Sequence, residues 1–137
     1  MSRAGTEDLV KRFFAALNAA DHAAALALVS DDVVHDPAIG GRRIGADELR
    51  WFLADHGRRF EETVADLVVM SDPTGARAAA EYTLRGTYRA TAPGLPAATG
   101  QRYSVAAGSF IEIEDGLIAR LTTRLDAQAL AAALAPA

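Results

Sequence analysis

The chain contains no cysteine among its 137 residues. This absence excludes disulfide bonds, thiolate chemistry and a cysteine-bound zinc site. Lysine is almost absent as well, since Lys11 is the only one and arginine supplies the remaining positive charge. The formal net charge is −4 and the sequence has no basic block. Nucleic acid is therefore not expected as a partner, because binding of phosphates requires a concentrated positive face.

Long apolar runs are missing too. No run approaches the length that crosses a membrane, and the first five residues lack the apolar stretch of a signal peptide. We therefore expect no membrane association and a cytoplasmic location. Half of the residues are hydrophobic and 23% are charged, which is typical of a folded protein. Residues 1–137 suit one domain with one core.

The motifs of several enzyme classes are also lacking. The three histidines, His22, His35 and His56, do not form a two-histidine metal motif. No Gly-x-Ser-x-Gly string indicates a serine hydrolase, and the glycines of segment 40–45 do not form a nucleotide-binding fingerprint. The sequence therefore predicts no metal and no cofactor.

The order of hydrophobic patterns predicts an α+β fold. Thr6 is expected to cap a first helix, whose apolar stripe consists of Leu9, Val10, Phe13, Phe14 and Leu17. A second, shorter helix is expected from Asp21 to about Val29, followed by a strand that ends at Asp36 and a glycine-rich loop over residues 40–45. A third helix is expected after this loop, with Leu49, Phe52, Leu53 and His56 on its inner side. From about residue 63 onward the period changes to two, which predicts antiparallel strands up to Leu125. Helices followed by strands favour helices packed on one face of a curved sheet.

The tetrapeptide 35–38, His-Asp-Pro-Ala, marks the end of the first strand. Pro37 has no amide hydrogen and ends the strand, so Asp36 lies on a rigid element where the chain changes direction. A carboxylate beside an apolar cavity can have a raised pKa and transfer protons. An isolated Asp-Pro more commonly caps a turn. Both interpretations of Asp36 are open at this point.

Several strings together resemble the ketosteroid isomerase-related proteins of the SnoaL-like, nuclear transport factor 2-like superfamily. They are residues 12–21, 33–37, 66–70, 77–83, 86–88, 100–103 and 115–120, and they cover nearly the whole chain. The resemblance implies a cone: a curved mixed or antiparallel sheet wrapped around the N-terminal helices, with a pocket open at one end.

The resemblance also implies roles for individual residues. Asp36 matches the general base of the isomerases, an Asp directly before a Pro at the end of the first strand. The two oxyanion-hole donors are not matched, since Phe13 stands in place of the Tyr and Gly108 in place of the protonated Asp. Loss of one such donor typically costs roughly a hundred- to a thousand-fold in rate. An efficient steroid isomerase of the known type is therefore not expected.

The substrate pocket predicted from this alignment combines apolar side chains with hydroxyl groups that could replace the missing donors. If Asp36 points into the cone, strand alternation places Val34 inside and His35 outside. The hydroxyls of Tyr82, Tyr88 and Thr123 are the candidate donors. The complete predicted pocket consists of Phe13, Val34, Phe52, Tyr82, Tyr88, Gly108, Phe110, Leu121, Thr123 and Leu125.

Two functions from different classes follow. The first is an enzyme that transfers a proton next to a carbonyl on a small hydrophobic cyclic molecule, with Asp36 as the base. Epoxide opening by an Asp-Arg-Asp arrangement is a weaker enzymatic option, since Arg120 and Arg124 are expected to face outward. The alternative is a non-catalytic module that binds an apolar ligand. The resemblance also implies a homodimer, for which Val105, Ile111 and Ile113 are the expected contact.

Overall fold

The computed structural model describes residues 1–136. Within that range the chain forms four helices and six strands. Five of the strands are predicted by the sequence pattern, whereas the two-residue strand Arg43–Ile44 lies in the segment 40–45 that was expected to be a loop. Their bounds are α1 (Arg3–Asn18), α2 (His22–Leu26), β1 (Val29–Asp36), β2 (Arg43–Ile44), α3 (Ala46–Arg59), β3 (Phe60–Ser71), β4 (Arg77–Tyr88), β5 (Arg102–Glu114), β6 (Leu117–Leu125) and α4 (Ala127–Leu134). None of the helices in residues 1–136 is long and apolar enough to cross a membrane.

The six strands form one sheet in the order β2-β1-β6-β5-β4-β3. Strands β1 and β6 run parallel, and every other neighbouring pair is antiparallel. The helices contact one face of this curved, unclosed sheet, which we call the inner face. The predicted α+β fold with a curved mixed sheet is confirmed. The cytoplasmic location and the single domain stay predictions.

Strand β5 shows which residues face the core. Its odd-numbered residues, among them Val105, Ile111 and Ile113, are buried on the inner face, whereas Phe110 is 61% exposed on the outer face. The prediction that Val105, Ile111 and Ile113 form an outer contact surface is therefore wrong. The error arises because a shift of one residue in a strand exchanges its two faces.

The N-terminus is held by a contact with the turn between β3 and β4. Helix α1 begins at Arg3, and the Ser2 side chain caps it by accepting a hydrogen bond from the Gly5 amide. The prediction that Thr6 is the cap is wrong. Thr6 lies buried inside the helix, and its hydroxyl donates to the Gly75 carbonyl at 2.6 Å. This bond joins α1 to the β3–β4 turn.

Replacement of Gly75 by alanine is expected to destabilise the fold strongly. A Cβ atom at Gly75 would lie 2.6 Å from the Ser2 carbonyl oxygen, and the residue has a φ of +77°. Gly94 is a matched control, because its φ is +78° but nothing lies within 4 Å of its Cβ position. Left-handed backbone alone costs about 1 kcal/mol for alanine, so Gly94→Ala should lose about that much and Gly75→Ala about 3 kcal/mol or more. Chemical denaturation measures both values; equal losses would contradict the role of the Ser2 contact.

Candidate functional site

A cavity of about 420 Å³ lies between the inner face of the sheet and helices α1 and α3. Its wall combines aromatic and aliphatic side chains with a small number of polar groups. The aromatic and aliphatic residues include Phe13, Leu49, Phe52, Val105, Leu121 and Leu125. Such a combination is typical of pockets that bind small molecules.

The pairing of β1 with β6 decides which side chain of the His-Asp-Pro segment enters this cavity. His35 pairs with Leu121, and Asp36 pairs with Thr122. Leu121 lines the cavity, and so does His35. Because successive side chains of a strand point to opposite faces, Asp36 lies on the outer face. The expected orientations, Asp36 inside and His35 outside, are wrong.

Asp36 is held on the outer face by two arginines and a hydroxyl. Arg42 donates to Asp36 Oδ1 at 2.7 Å, and the Thr122 hydroxyl donates to Oδ2 at 2.8 Å. The Arg120 Nε atom lies 3.5 Å from Oδ2. The hydrogen bond from Arg42 is the main reason why the pKa of Asp36 falls to about 2. Asp36 is therefore an ionised structural anchor, and its pKa is not raised as a general base near neutral pH would require.

His35 is buried, with only 4% of its surface exposed. Its Nδ1 atom has no hydrogen-bond partner, and its ring packs edge-on against Phe52 at a centroid distance of 4.7 Å. Burial lowers the pKa of His35 to about 4. The negative charge of Asp36 opposes this shift, whereas Arg43 and His56 add to it. His35 is thus a neutral imidazole at the cavity wall at pH 7.

A second polar cluster on the wall consists of His56, Glu62 and Tyr103. The His56 Nε2 and Glu62 Oε1 atoms are 2.8 Å apart, and the Tyr103 hydroxyl donates to Glu62 Oε2. Burial is the main cause that raises the pKa of Tyr103, and the negative charge of Glu62 raises it further. The phenol therefore keeps its proton and serves as a donor. His56 is stacked between Phe52 and Phe60, at centroid distances of 5.1 and 4.8 Å.

Gly86 makes the contact between Tyr103 and Glu62 possible. Glu62 pairs with Gly86 across β3 and β4, and Gly86 pairs with Tyr103 across β4 and β5. The three residues thus form one row on the inner face. A Cβ atom at Gly86 would lie 2.4 Å from the Tyr103 hydroxyl oxygen and 2.8 Å from Glu62 Cβ. Because Gly86 has no side chain, the Tyr103 side chain can pass over it and reach Glu62.

A third polar group on the wall is a chain of hydroxyls. The Tyr82 hydroxyl lies 2.8 Å from Ser109 Oγ, and Ser109 Oγ lies 3.1 Å from Thr123 Oγ1. Burial raises the pKa of Tyr82, so this phenol also stays protonated. Hydroxyls can both donate and accept, and the chain can therefore adapt to an oxygen of a bound molecule.

The structure separates the predicted pocket residues into two sets. The residues on the cavity wall are Phe13, Phe52, Tyr82, Leu121, Thr123 and Leu125, and their contact with a substrate stays a prediction. Three other residues occupy even-numbered positions of their strands and face away from the cavity, namely Val34, Gly108 and Phe110. The prediction that they line the pocket is therefore wrong.

Tyr88 is also away from the cavity wall, so its assignment to the pocket is wrong. Its hydroxyl donates to the Pro96 carbonyl at 2.8 Å and accepts from the Ala92 amide at the same distance. The hydroxyl therefore holds the long connection after β4 and is not available as an oxyanion donor.

Sequence reasoning missed Glu62, Tyr103 and Ser109 as site residues. Glu62 lies before the start predicted for its strand, at residue 63, although the alternation of residues 60–64 could have placed it inside. Ser109 lies between Gly108 and Phe110. Because these two residues were expected to face the cavity, Ser109 was expected to face outward. Within residues 1–136, no three histidine or acidic side chains are grouped so that they could hold a metal ion.

The neutral state of His35 predicts a specific loss of stability in acid. The folded protein binds the His35 proton only near pH 4, whereas the unfolded chain binds it near pH 6.5, so the free energy of unfolding falls as pH decreases between these values. The full effect is about 3 kcal/mol. His35→Phe should remove this part of the pH dependence.

Denaturation of both proteins from pH 7.5 to pH 4 measures the difference. Asp36 does not interfere in this range. Its pKa is lowered from 3.8 to about 2, so its contribution to the free energy of unfolding is lost mainly as the pH falls below about 3.8. Parallel pH profiles for wild type and His35→Phe would show that His35 is not kept neutral by the fold.

Comparison with known proteins agrees with this architecture. A chain from Pseudomonas putida KT2440, described as a candidate polyketide cyclase, is 42% identical, with 95% of this chain and 98% of that chain covered and a TM-score of 0.92. A second polyketide cyclase candidate, from Silicibacter sp. TM1040, is 38% identical over 99% of each chain with a TM-score of 0.94.

A nuclear transport factor 2-like protein from Burkholderia xenovorans LB400 shares the fold at 20% identity, with 98% of this chain and 99% of that chain covered and a TM-score of 0.79. No curated protein is significantly similar in sequence. The profile of the SnoaL-like domain matches residues 10–121. The chain therefore belongs to the SnoaL-like family, as its sequence motifs predict.

Proposed function

We propose that the protein is an enzyme that transfers a proton next to a carbonyl group on a hydrophobic cyclic substrate bound in the central cavity. The SnoaL-like fold supports a small-molecule cyclase or isomerase in general terms. The observation that carries the specific proposal is the contact between His56 and Glu62 at the cavity wall, 2.8 Å from nitrogen to oxygen. This pair, and not Asp36, has the position that a general base requires.

The hydrogen bonds of Glu62 determine which nitrogen of His56 acts as the base. An ionised carboxylate only accepts hydrogen bonds, so in the proposed resting state the Nε2–H group of His56 donates a hydrogen bond to Glu62 Oε1. In this tautomer His56 Nδ1 has the lone pair that takes up the substrate proton. The second carboxylate oxygen, Oε2, accepts from Tyr103, which fixes the plane of the carboxylate. A base oriented by a third group is the arrangement that general base catalysis uses.

The proton transfer then involves two groups of the protein. His56 Nδ1 takes the proton from the carbon next to the carbonyl, and the electrons of the broken C–H bond move onto the carbonyl oxygen to form an enolate. The imidazolium that forms is stabilised by Glu62 at hydrogen-bond distance. Return of the proton from His56 to a carbon of the enolate completes an isomerisation or regenerates the ketone.

The cavity wall supports a hydrophobic cyclic substrate. Phe13, Leu121 and Leu125 offer apolar surface, and the hydroxyl chain from Tyr82 to Thr123 offers a hydrogen-bonding site for a further oxygen. The similarity to polyketide cyclase candidates supports a cyclic substrate. We include the predicted small hydrophobic partner in this proposal.

Exchange of the acidic C1 protons of 2-tetralone in D2O, followed by proton NMR, tests the base. His56→Gln keeps an N–H group for Glu62 but cannot take up a proton, and should lower the exchange rate by roughly 100-fold or more. Glu62→Gln should lower it as well, because the wrong tautomer of His56 becomes accessible. Asp36→Asn should leave the rate unchanged, since Asp36 is bound to Arg42 on the outer face.

The three variants separate the possible bases. A large loss in Asp36→Asn together with a normal rate in His56→Gln would restore Asp36 as the base and contradict the proposal. Binding of 2-tetralone without any exchange in the wild-type protein would favour the alternative of a non-catalytic binding module.

We also propose a homodimer, formed through the outer face of the sheet. Met70, Ala79, Phe110 and Thr122 are neighbours in one row across four strands. Met70 is 49% exposed and Phe110 is 61% exposed, and Val68 on the same strand as Met70 is 52% exposed. Exposed apolar side chains clustered on one face are typical of protein contact surfaces.

Phe110→Glu is expected to convert the dimer to a monomer, because the substitution places a charge at the centre of the apolar row. Ile44→Glu is the matched control, since Ile44 is also 61% exposed but lies on the edge strand β2. Sedimentation velocity measures the oligomeric state of each protein. A wild-type monomer, or a Phe110→Glu variant that stays dimeric, would contradict this interface.

A further inference from the structure

We infer that His35 is the hydrogen-bond donor that binds the carbonyl oxygen of the substrate and stabilises the enolate formed from it. This inference rests on the proposed proton transfer and assigns it a second catalytic residue. It is carried by the burial of the ring, its place on the cavity wall and its lack of partners in the described residues 1–136.

A buried imidazole without hydrogen bonds is costly. Leaving a buried donor or acceptor unpaired typically costs about 1–3 kcal/mol. His35 is 4% exposed, and its buried Nδ1 atom has no hydrogen-bond partner within residues 1–136. A phenylalanine or leucine would pack against Phe52 without this penalty. A histidine at this position is therefore explained if a bound substrate forms a hydrogen bond with its ring in the cavity.

The surroundings of the ring determine where its proton lies. Nδ1 is inaccessible and has no acceptor within reach, so a proton on this atom would be a buried donor without a partner. Buried N–H groups without partners are rarer than buried acceptors without partners. The favoured tautomer therefore carries the proton on Nε2. Since Nδ1 is inaccessible, the part of the ring that lines the cavity is the part that contains Nε2.

His35 and His56 line the same cavity and contact the same phenylalanine. Phe52 contacts both rings, with centroid distances of 4.7 Å to His35 and 5.1 Å to His56. All three residues line the cavity. In the proposed reaction, the carbonyl oxygen of a substrate in this cavity binds His35 while the carbon next to the carbonyl faces His56. The two histidines would have opposite roles, one as donor to oxygen and the other as acceptor of a proton from carbon.

Burial keeps His35 neutral during this reaction, because it is the largest cause that lowers the pKa of the ring. Asp36 raises the pKa but does not outweigh burial, and Arg43 and His56 lower it further. A neutral imidazole is a suitable electrophile for an enolate, because its N–H group donates without transferring the proton fully. It can thus supply a donor in a cavity whose wall has Phe13 where the isomerases have a tyrosine.

Paired substitutions of His35 test the role of donor. His35→Gln places an amide N–H group near the position of Nε2, whereas His35→Leu has no donor. In the 2-tetralone exchange assay, His35→Leu should lose roughly 100-fold in rate, and His35→Gln should recover at least about a tenth of the wild-type rate. If His35 were instead a base, both variants would be equally inactive, because an amide cannot take up the proton. Asp32→Asn, an exposed change on the same strand, is the control.

Two measurements do not depend on turnover. Nitrogen-15 NMR of the His35 ring should show a proton on Nε2 and none on Nδ1 from pH 8 to pH 5.5. Binding of 2-naphthol, a flat analogue of the enol of 2-tetralone, should weaken roughly tenfold in His35→Leu and less in His35→Gln.

The outcomes separate the two proposals. If the wild-type protein exchanges no protons, or if His56→Gln is fully active, the proposed base is wrong, but the tautomer and the binding of 2-naphthol still decide the role of His35. A proton on Nδ1, or equal affinity for 2-naphthol in wild type and His35→Leu, would overturn the assignment of His35 while leaving that of His56 intact.

Discussion

The chemistry of the cavity depends on the pairing of β1 with β6, because it decides the direction of each side chain in the His-Asp-Pro segment. Once His35 is opposite Leu121, strand alternation places the imidazole inside and the Asp36 carboxylate outside. The outer position is then stabilised by Arg42 and Thr122. A slip of one residue would bury an ionised carboxylate and expose the histidine, so burial and charge favour the same register.

The sequence was sufficient for the architecture, because periodicity is a local property. The change from a period of 3.6 to a period of two separates the helices from the strands, and the alternating residues Ala78, Ala80, Tyr82 and Leu84 of β4 are indeed buried on one face. The orientation of β1 and β5 was wrong for one shared reason. Both orientations were taken from the alignment with the isomerases, which places Asp36 and Phe110 in the pocket. Such an alignment does not determine which face of a strand its residues occupy.

The contacts of the site could not be predicted from sequence, since they join distant residues. Tyr103 and Glu62 are 41 positions apart, and they meet only because Gly86 lies between them on the neighbouring strand. A lone glycine in a strand pattern usually indicates a bulge or a close approach of another group. Here it is the second case, and the group that approaches is the side chain of Tyr103.

Asp36 and Glu62 are carboxylates of similar intrinsic acidity, but they lie on opposite faces of the sheet and have different hydrogen-bond partners. On the outer face, arginines neutralise Asp36 and lower its pKa, which stabilises the fold but removes its basicity. On the inner face, Glu62 contacts only Tyr103 and His56 at hydrogen-bond distance within residues 1–136. Its negative charge is therefore not cancelled by a permanent cation, and in the proposed reaction it would stabilise the imidazolium that forms on His56. The absence of an arginine partner is the reason why we propose a catalytic role for the inner carboxylate and not for Asp36.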